Sequence, residues 1–154
     1  MALTPAQKRT ATNMRAKWKR DRSGVINDCQ RSFNLLRRIE STDDLGFCTC
    51  VVTGQRIHFK EVDAGHFISA TRQATRFDHR NVHPQSKGSN RFDTTNNSLI
   101  YYTIFMVECY GRETVDELLK RSKETKKWEI EELIELRIGW LDRIKSEKKR
   151  LGIE

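Results

Sequence analysis

The sequence contains no run of about 18 apolar residues, the length that a helix needs to span the hydrocarbon core of a membrane. Residues 1–30 also lack the apolar segment that is typical of a secretory signal peptide. We find no internal repeat and no low-complexity tract. These absences predict a cytoplasmic protein whose four cysteines are reduced thiols. Cys29 and Cys109 lie in helix-like patterns and are predicted to be buried.

Acidic residues are scarce in the first part of the chain. Residues 1–40 contain ten Lys or Arg and three Asp or Glu, whereas residues 91–154 contain thirteen of each sign. The whole chain of 154 residues carries a net charge of +8. A basic surface gains affinity for a polyanion by releasing condensed counterions. The asymmetry therefore favours nucleic acid as the partner over a merely solvated helix face.

Hydrophobic periodicity predicts an α+β protein that is mostly helical. Residues 5–40 are predicted to be helical with a break at Ser23-Gly24, and further helices are expected at 99–110, 114–122 and 128–151. The chain is predicted to form one compact domain, composed of a basic N-terminal helical arm at 1–44, a core at 45–98 and a C-terminal helical region at 99–154.

The core is predicted to contain strands and one helix. Residues 47–70 have an extended pattern with a turn at 53–55, and a strand is expected from Val62 to Ile68. A short strand is expected at 81–85, where Pro84 ends it, and a helix should start near Ser89-Asn90. The order is therefore strand, strand, helix.

Most of the polar chemistry of the chain lies between Asp63 and Asn90, and the four histidines lie in or just before this segment: His58, His66, His79 and His83. Hydrolysis of a phosphodiester needs a base that activates water and a cation that neutralises developing charge. The imidazole of His66 suits the base, because an unperturbed histidine is mostly neutral at neutral pH. Carboxylate and carboxamide oxygens, as on Asp63 and Asn90, suit Mg²⁺. His58 and His79 are predicted to be surface or loop residues.

Several motifs resemble the phage NinG/Rap family of recombination endonucleases, which is placed in the HNH or ββα-metal superfamily. The resemblance covers roughly residues 45–150 and is carried by Asp63-Ala-Gly-His66-Phe-Ile-Ser69, Arg76-Phe-Asp78, Asn81-Val-His83-Pro-Gln85, Asn90-Arg91-Phe92 and Tyr110-Gly-Arg-Glu113. It implies an HNH-like hairpin and helix that hold one divalent ion, Mg²⁺ or Mn²⁺, clasped by helices at both ends.

The resemblance also implies roles for single residues. His66 corresponds to the general base, Asn81 to the residue that ties the loop together, and Asn90 to a metal ligand that opens the helix. Asp63 is the expected carboxylate ligand, although many HNH enzymes carry that ligand at the position of Gly65. His83 is expected either to bind the metal or to contact the scissile phosphate. Four basic residues around the site are expected to contact DNA phosphates: Arg72, Arg76, Lys87 and Arg91.

The family usually holds a structural zinc ion between two CxxC pairs, and this chain departs from that pattern. The four positions align as Cys50, Thr53, Ser86 and Ser89, so one thiolate remains where four are expected. Hydroxyl groups do not replace thiolates as zinc ligands at neutral pH. We therefore expect no structural zinc, and hydrogen bonds with apolar packing are expected to fix the hairpin instead.

The resemblance implies a metal-dependent endonuclease of phage recombination that cuts branched DNA, such as Holliday junctions or D-loops, in the bacterial host. A homodimer is expected because junctions have two-fold symmetry, with the interface on the 99–110 helix or the C-terminal helix. Two alternatives stay open. One is a weak or inactive DNA-binding accessory protein with the same fold, and the other is a protein-interaction module whose basic arm binds RNA or a partner.

Overall fold

A computed structural model of the chain describes residues 2–21, 24–93 and 95–153. Two helices precede four strands and four helices follow them, in the order α1 Pro5–Arg20, α2 Val25–Ile39, β1 Phe47–Thr49, β2 Arg56–His58, β3 Asp63–His66, β4 Val82–Gln85, α3 Lys87–Arg91, α4 Asn97–Tyr110, α5 Arg112–Arg121 and α6 Ile130–Arg150. Two 3₁₀ turns, Gln73–Thr75 and His79–Asn81, lie between β3 and β4. The predicted α+β class is confirmed.

Four short strands form two separate antiparallel ladders. β1 pairs with β2, and β3 pairs with β4. In the second ladder Asp63 lies opposite Gln85, and Gly65 lies opposite His83. The helix α3 follows β4 directly and contacts β3. The sequence therefore folds into a strand, a strand and a helix at the place where the polar cluster lies.

Helices α1, α2 and α6 form the larger hydrophobic core, in which the apolar stripes of α1 and α2 both pack against α6. Trp18, Phe33 and Leu36 are fully buried there, and the rings of Phe33 and Trp140 lie 5.0 Å apart. A second, smaller core lies between α4 and α5, around Met106. None of the helices in the described part of the chain is both long and apolar enough to cross a membrane.

The helices follow the sequence periodicity closely. The predicted break between the first two helices is present, with Gly24 at the start of α2, while Arg22 and Ser23 lie outside the described residues. Helix α1 begins after Thr4, whose hydroxyl accepts a hydrogen bond from the backbone N–H of Gln7. The expectation that Cys109 is buried was wrong, because it lies on an exposed side of α4.

The strands are shorter than expected, and two predictions about them were wrong. Val51 and Val52 belong to the turn after β1, because the Cys50 thiol accepts the backbone N–H of Thr53 and Gly54 adopts a φ of +71°. Pro84 does not end β4 but pairs with Ala64 inside it. Its carbonyl accepts a hydrogen bond from the Val51 N–H at 3.0 Å.

Candidate functional site

The site is built on β3, β4 and α3. α3 is a helix of five residues, and the hydroxyl of Ser86 caps its start by accepting the backbone N–H of Ser89. Asn90 is the fourth residue of this helix and does not open it, contrary to expectation. Because β3 contacts α3, the side chains of Asp63 and Asn90 meet although they are 27 residues apart.

Asp63 is held by two neighbours from α3. Arg91 donates two hydrogen bonds to its carboxylate, at 2.6 and 2.7 Å, and the Asn90 amide donates a third at 2.9 Å. Burial alone would raise the pKa of Asp63, but the hydrogen bonds from Arg91 and Asn90 lower it below its ordinary value. Asp63 is therefore ionised at neutral pH, and Arg91 neutralises its charge.

His66 keeps one ring nitrogen available for chemistry. Its Nε2 lies 3.1 Å from the backbone carbonyl of Arg76. A carbonyl oxygen can only accept, so Nε2 carries the hydrogen and Nδ1 keeps its lone pair. Burial lowers the pKa of His66; the hydrogen bond to the Arg76 carbonyl offsets part of this effect, and the charge of Arg76 adds to it. His66 is thus a neutral base at neutral pH.

Two clefts meet at Asn90. One has a volume of about 190 Å³ and is lined by His66, Gln85 and Asn90. The other has a volume of about 500 Å³ and is lined by Asp63, Asn90 and Arg91. Asp63 and His66 are three residues apart on one strand, which separates their Cα atoms by about 10 Å. Side chains three residues apart on a strand point to opposite faces, so the carboxylate and the imidazole lie in two separate clefts, and Asn90 lines both of them.

Gly65 makes room for the side chain of Gln85. A Cβ atom at this position would lie 2.0 Å from Oε1 of Gln85, which is the partner of Asp63 in the ladder and is buried. Only glycine leaves this space for the Gln85 side chain. Gln85 is also a carboxamide in the cleft of His66, and no periodic pattern along the chain indicates the direction of its side chain.

Asn81 ties the segment between β3 and β4 together. Its amide donates to the carbonyls of Ile68 and Thr75, both at 3.0 Å, and its Oδ1 accepts the backbone N–H of Ile68 at 2.7 Å. The side chain is fully buried. These are the backbone hydrogen bonds that the resemblance implies for Asn81, and they fix the loop that presents the Arg76 carbonyl to His66.

His83 lies away from both clefts and is buried. Its Nδ1 lies 3.0 Å from the Tyr102 hydroxyl, and its Nε2 lies 2.8 Å from the Tyr110 hydroxyl. Burial, with a smaller contribution from the charge of Arg37, lowers the pKa of His83 to about 3. With both ring nitrogens occupied, His83 has no lone pair for a metal ion or hydrogen for a phosphate in this arrangement.

The basic residues expected to contact DNA differ in how they are held. Arg72 is exposed, and Lys87 lies 3.6 Å from Glu61 in a loose surface pair. Arg76 is tied to α2 through a hydrogen bond from its Nε to Gln30 at 2.7 Å. The cleft of Asp63 has further polar lining from α2, which sequence reasoning missed: Arg31, Asn34 and Arg38.

The four positions that align with the zinc ligands of the family come together. Cys50 accepts the backbone N–H groups of Ser86 at 3.1 Å and of Thr53 at 3.4 Å, and the hydroxyls of Ser86 and Ser89 are 2.9 Å apart. Burial alone would raise the pKa of Cys50, but hydrogen bonds, those of Thr53 and Ser86 foremost, lower it to about 7. The Thr53 hydroxyl instead contacts Gln55. Hydrogen bonds therefore join β4 to the β1–β2 turn.

The side-chain oxygens of Asp63 and Asn90 are of the kind that binds one hard divalent cation. Such a cation takes one or two protein oxygens and keeps several waters, and here a carboxylate and a carboxamide face an open cleft. In residues 2–21, 24–93 and 95–153, no group of three or more His, Cys, Asp or Glu side chains has metal-binding geometry. A cation at this position would therefore rely on Asp63, Asn90 and water or phosphate oxygens, and it would compete with Arg91 for Asp63.

Comparisons with known proteins agree with the motifs of the site. The model of one protein family, described as Bacteriophage Lambda NinG protein, matches residues 4–150. No curated protein and no solved structure gave a significant match. The matched segment contains both hydrophobic cores and all of the site residues described above. The chain therefore belongs to the NinG family of phage proteins, which is associated with recombination.

Proposed function

We propose that this protein is a metal-dependent endodeoxyribonuclease that hydrolyses phosphodiesters in branched DNA during phage recombination. The observation that carries the proposal is the state of His66. Its Nε2–H is bonded to the Arg76 carbonyl, and its Nδ1 keeps a lone pair in a cleft that it shares with Asn90. Asn90 in turn contacts the ionised carboxylate of Asp63. Asn90 therefore lines both the cleft of a neutral base and the cleft of a hard-cation site.

In the proposed reaction, Nδ1 of His66 takes a proton from a water molecule whose oxygen attacks the phosphorus. The bond from phosphorus to the 3′ oxygen breaks and this oxygen takes a proton from solvent, which leaves a 5′-phosphate and a 3′-hydroxyl. A divalent cation held by Asp63 and Asn90 would neutralise charge on the phosphate and the departing oxygen. Asn81 positions the Arg76 carbonyl, which keeps the His66 ring in the tautomer that the reaction needs.

Charge around the clefts supports DNA as the substrate. Arg31, Arg38 and Arg91 line the cleft of Asp63, and the strongly basic helix α1 precedes α2. Phosphate contacts of this kind position DNA without reading its sequence. A substrate chosen by shape, such as a junction, is consistent with such contacts, and DNA affinity should fall steeply as salt rises.

A cleavage assay tests the proposal. Purified protein is incubated with a labelled four-way junction and with a linear duplex of the same sequence, with Mg²⁺, Mn²⁺ or EDTA. We expect nicks near the branch point that need the divalent ion, with 5′-phosphate and 3′-hydroxyl ends. Equal cleavage of both substrates would support the nuclease activity and contradict the preference for branched DNA. Binding without any cleavage would support the alternative below.

The alternative is a weak or inactive DNA-binding accessory protein of recombination. Its supporting observation is the bidentate ion pair between Arg91 and Asp63, which occupies both carboxylate oxygens. If no divalent ion can displace Arg91, the site keeps its affinity for phosphates and lacks the cation. In that case neither Mg²⁺ nor Mn²⁺ would raise the melting temperature, and Asp63→Asn would leave this result unchanged.

We further propose that the protein forms a homodimer through the outer face of α4. Among the residues of this helix, Glu108 is the single charged one. Ile100, Ile104 and Val107 follow one another at helix–helix packing intervals and are 57%, 46% and 38% exposed. A stable interface buries about 800 Å² per partner and is depleted of charge at its centre. The outer face of α4 has the low charge that such a centre requires.

The oligomeric state tests the proposed interface. Light scattering with size-exclusion chromatography should give a dimer for the wild type and a monomer for Ile104→Glu. Leu45→Glu is the matched control, because Leu45 is an exposed apolar residue in the loop before β1, outside α4. A monomeric wild type, or a dimer that Ile104→Glu does not affect, would exclude this interface.

A further inference from the structure

The hydrogen-bond partners around His83 support one self-consistent assignment of hydrogen atoms. The carbonyl of Gly65 only accepts, so the Tyr102 hydroxyl donates to it at 2.9 Å. The single hydrogen of Tyr102 is then used, and Tyr102 accepts from Nδ1–H of His83 at 3.0 Å. His83 is neutral, so its Nε2 accepts from the Tyr110 hydroxyl at 2.8 Å.

We infer that Tyr110, His83 and Tyr102 form one directional chain of hydrogen bonds that positions the backbone of Gly65, and with it the catalytic imidazole of His66. This inference rests on the proposed function. The chain begins at Tyr110, in the last position of α4, crosses β4 at His83 and ends on β3. All three are positioning residues. None of them lines the cleft of Asp63, and only Tyr102 lines the cleft of His66.

The packing around the chain supports this role. Tyr102 and His83 are 3% and 5% exposed, and the ring of Phe105 lies 4.9 Å from the His83 ring, edge to face. Buried polar groups whose hydrogen bonds are all satisfied favour a single arrangement, whereas a group that lacks its hydrogen-bond partner favours rearrangement. The loss of one hydroxyl at Tyr110 should therefore loosen the orientation of the strand that carries His66.

The test is a double-mutant cycle on cleavage of a four-way junction at saturating DNA and at 20 °C. Tyr110→Phe removes one hydroxyl, and His83→Asn keeps a donor for Tyr102 but does not reach Tyr110. We expect each variant to lower kcat about 10-fold, as outer positioning partners of catalytic groups do, with unchanged DNA affinity. The double variant should be no slower than the slower single variant, because both changes break the same contact.

Tyr101→Phe is the matched control. It is the same substitution at the neighbouring position of α4, on a tyrosine that is 56% exposed, and it should cleave at the wild-type rate. Additive losses in the cycle, or a wild-type rate for Tyr110→Phe, would overturn the inference. Thermal melting of every variant checks that it is folded at 20 °C, so that a lower kcat is not due to unfolded protein.

A second measurement does not depend on cleavage. Nitrogen-15 chemical shifts of the His83 ring should identify the neutral form with hydrogen on Nδ1, and in Tyr110→Phe the backbone N–H groups of residues 65 and 66 should exchange with solvent faster. If the wild type does not cleave DNA, the proposed function fails while this measurement still decides on the hydrogen-bond chain. Hydrogen on Nε2 of His83 would overturn the chain even in an active nuclease.

Discussion

His66 and His83 lie on the paired strands β3 and β4, on neighbouring rungs of one ladder, and burial lowers the pKa of both imidazoles. Their partners differ. His66 has one nitrogen on a backbone carbonyl and one nitrogen free in a cleft, whereas both nitrogens of His83 are bonded to tyrosines. Residue type and burial therefore do not distinguish a base from a structural histidine, because the occupancy of the second nitrogen decides the role.

The difference in role between the two histidines is tested most strongly by removing the base at His66. His66→Gln keeps an N–H group that can reach the Arg76 carbonyl but supplies no basic nitrogen. We expect junction cleavage to fall by about 10²–10⁴-fold, the usual contribution of a general base, with DNA affinity nearly unchanged. Cleavage rates and fluorescence anisotropy measure the two quantities.

His79→Gln is the control for this substitution, because the His79 side chain is 40% exposed and lies in neither cleft at β3. It should cleave normally. Cleavage by His66→Gln at the wild-type rate would remove His66 from the role of base, and His83 would then have to be reconsidered despite its two tyrosines.

At acidic pH the lowered pKa of His83 should destabilise the folded state. Its pKa is about 3 in the native state and about 6.5 in an unfolded chain, so below pH 6.5 the unfolded state binds one more proton. The free energy of unfolding should therefore fall as pH decreases, by about 4 kcal/mol at pH 3. Urea unfolding at pH 7, 6 and 5 measures the slope.

His83→Asn separates this contribution from those of the carboxylates and of His66, which both proteins share. The variant should be less stable at pH 7, but its stability should fall less steeply between pH 7 and pH 5. Parallel pH profiles for the two proteins would show that His83 does not carry a lowered pKa.

The thiols offer a smaller test of the same idea, that hydrogen-bond partners can outweigh burial in setting a pKa. Hydrogen bonds lower the pKa of Cys50 to about 7, whereas burial raises the pKa of Cys48 to about 11. Because an unfolded thiol binds its proton up to a higher pH, Cys50 should raise stability as pH increases from 7 to 9. Absorbance at 240 nm should show thiolate formation near pH 7 in the wild type and not in Cys50→Ser, with Cys48→Ser as the control.

The smallest expected effect concerns the ion pair at the cation site. Arg91→Ala removes the competitor of a divalent ion for Asp63, so Mn²⁺ should bind about 3-fold more tightly, in line with the modest energy of a partly exposed pair. The rise in melting temperature with Mn²⁺ measures this affinity. Asp63→Asn should abolish the rise, and a rise that survives in Asp63→Asn would place the ion elsewhere.

Local pattern accounts for the parts of the fold that were predicted well. The helices follow apolar periodicity, and the break before Gly24 follows from a residue that favours helix ends. The strands were predicted less well, because residues such as Val51 and Pro84 are placed by contacts between two ladders rather than by their own preferences. Asn90 was expected at the start of a helix, but the cap formed by Ser86 starts it earlier.

The sequence by itself determined the α+β class, the basic N-terminal arm and the family to which the chain belongs, because these depend on composition, periodicity and motif spacing along the chain. Only the folded structure shows which histidine has an unbonded ring nitrogen, that the Arg91 side chain pairs with Asp63, and which N–H groups donate to the Cys50 thiol. The partners of these groups lie far away along the chain, 27 residues for His83 and Tyr110 and 36 residues for Cys50 and Ser86. Protonation and pairing depend on such neighbours in space, and folding brings them together.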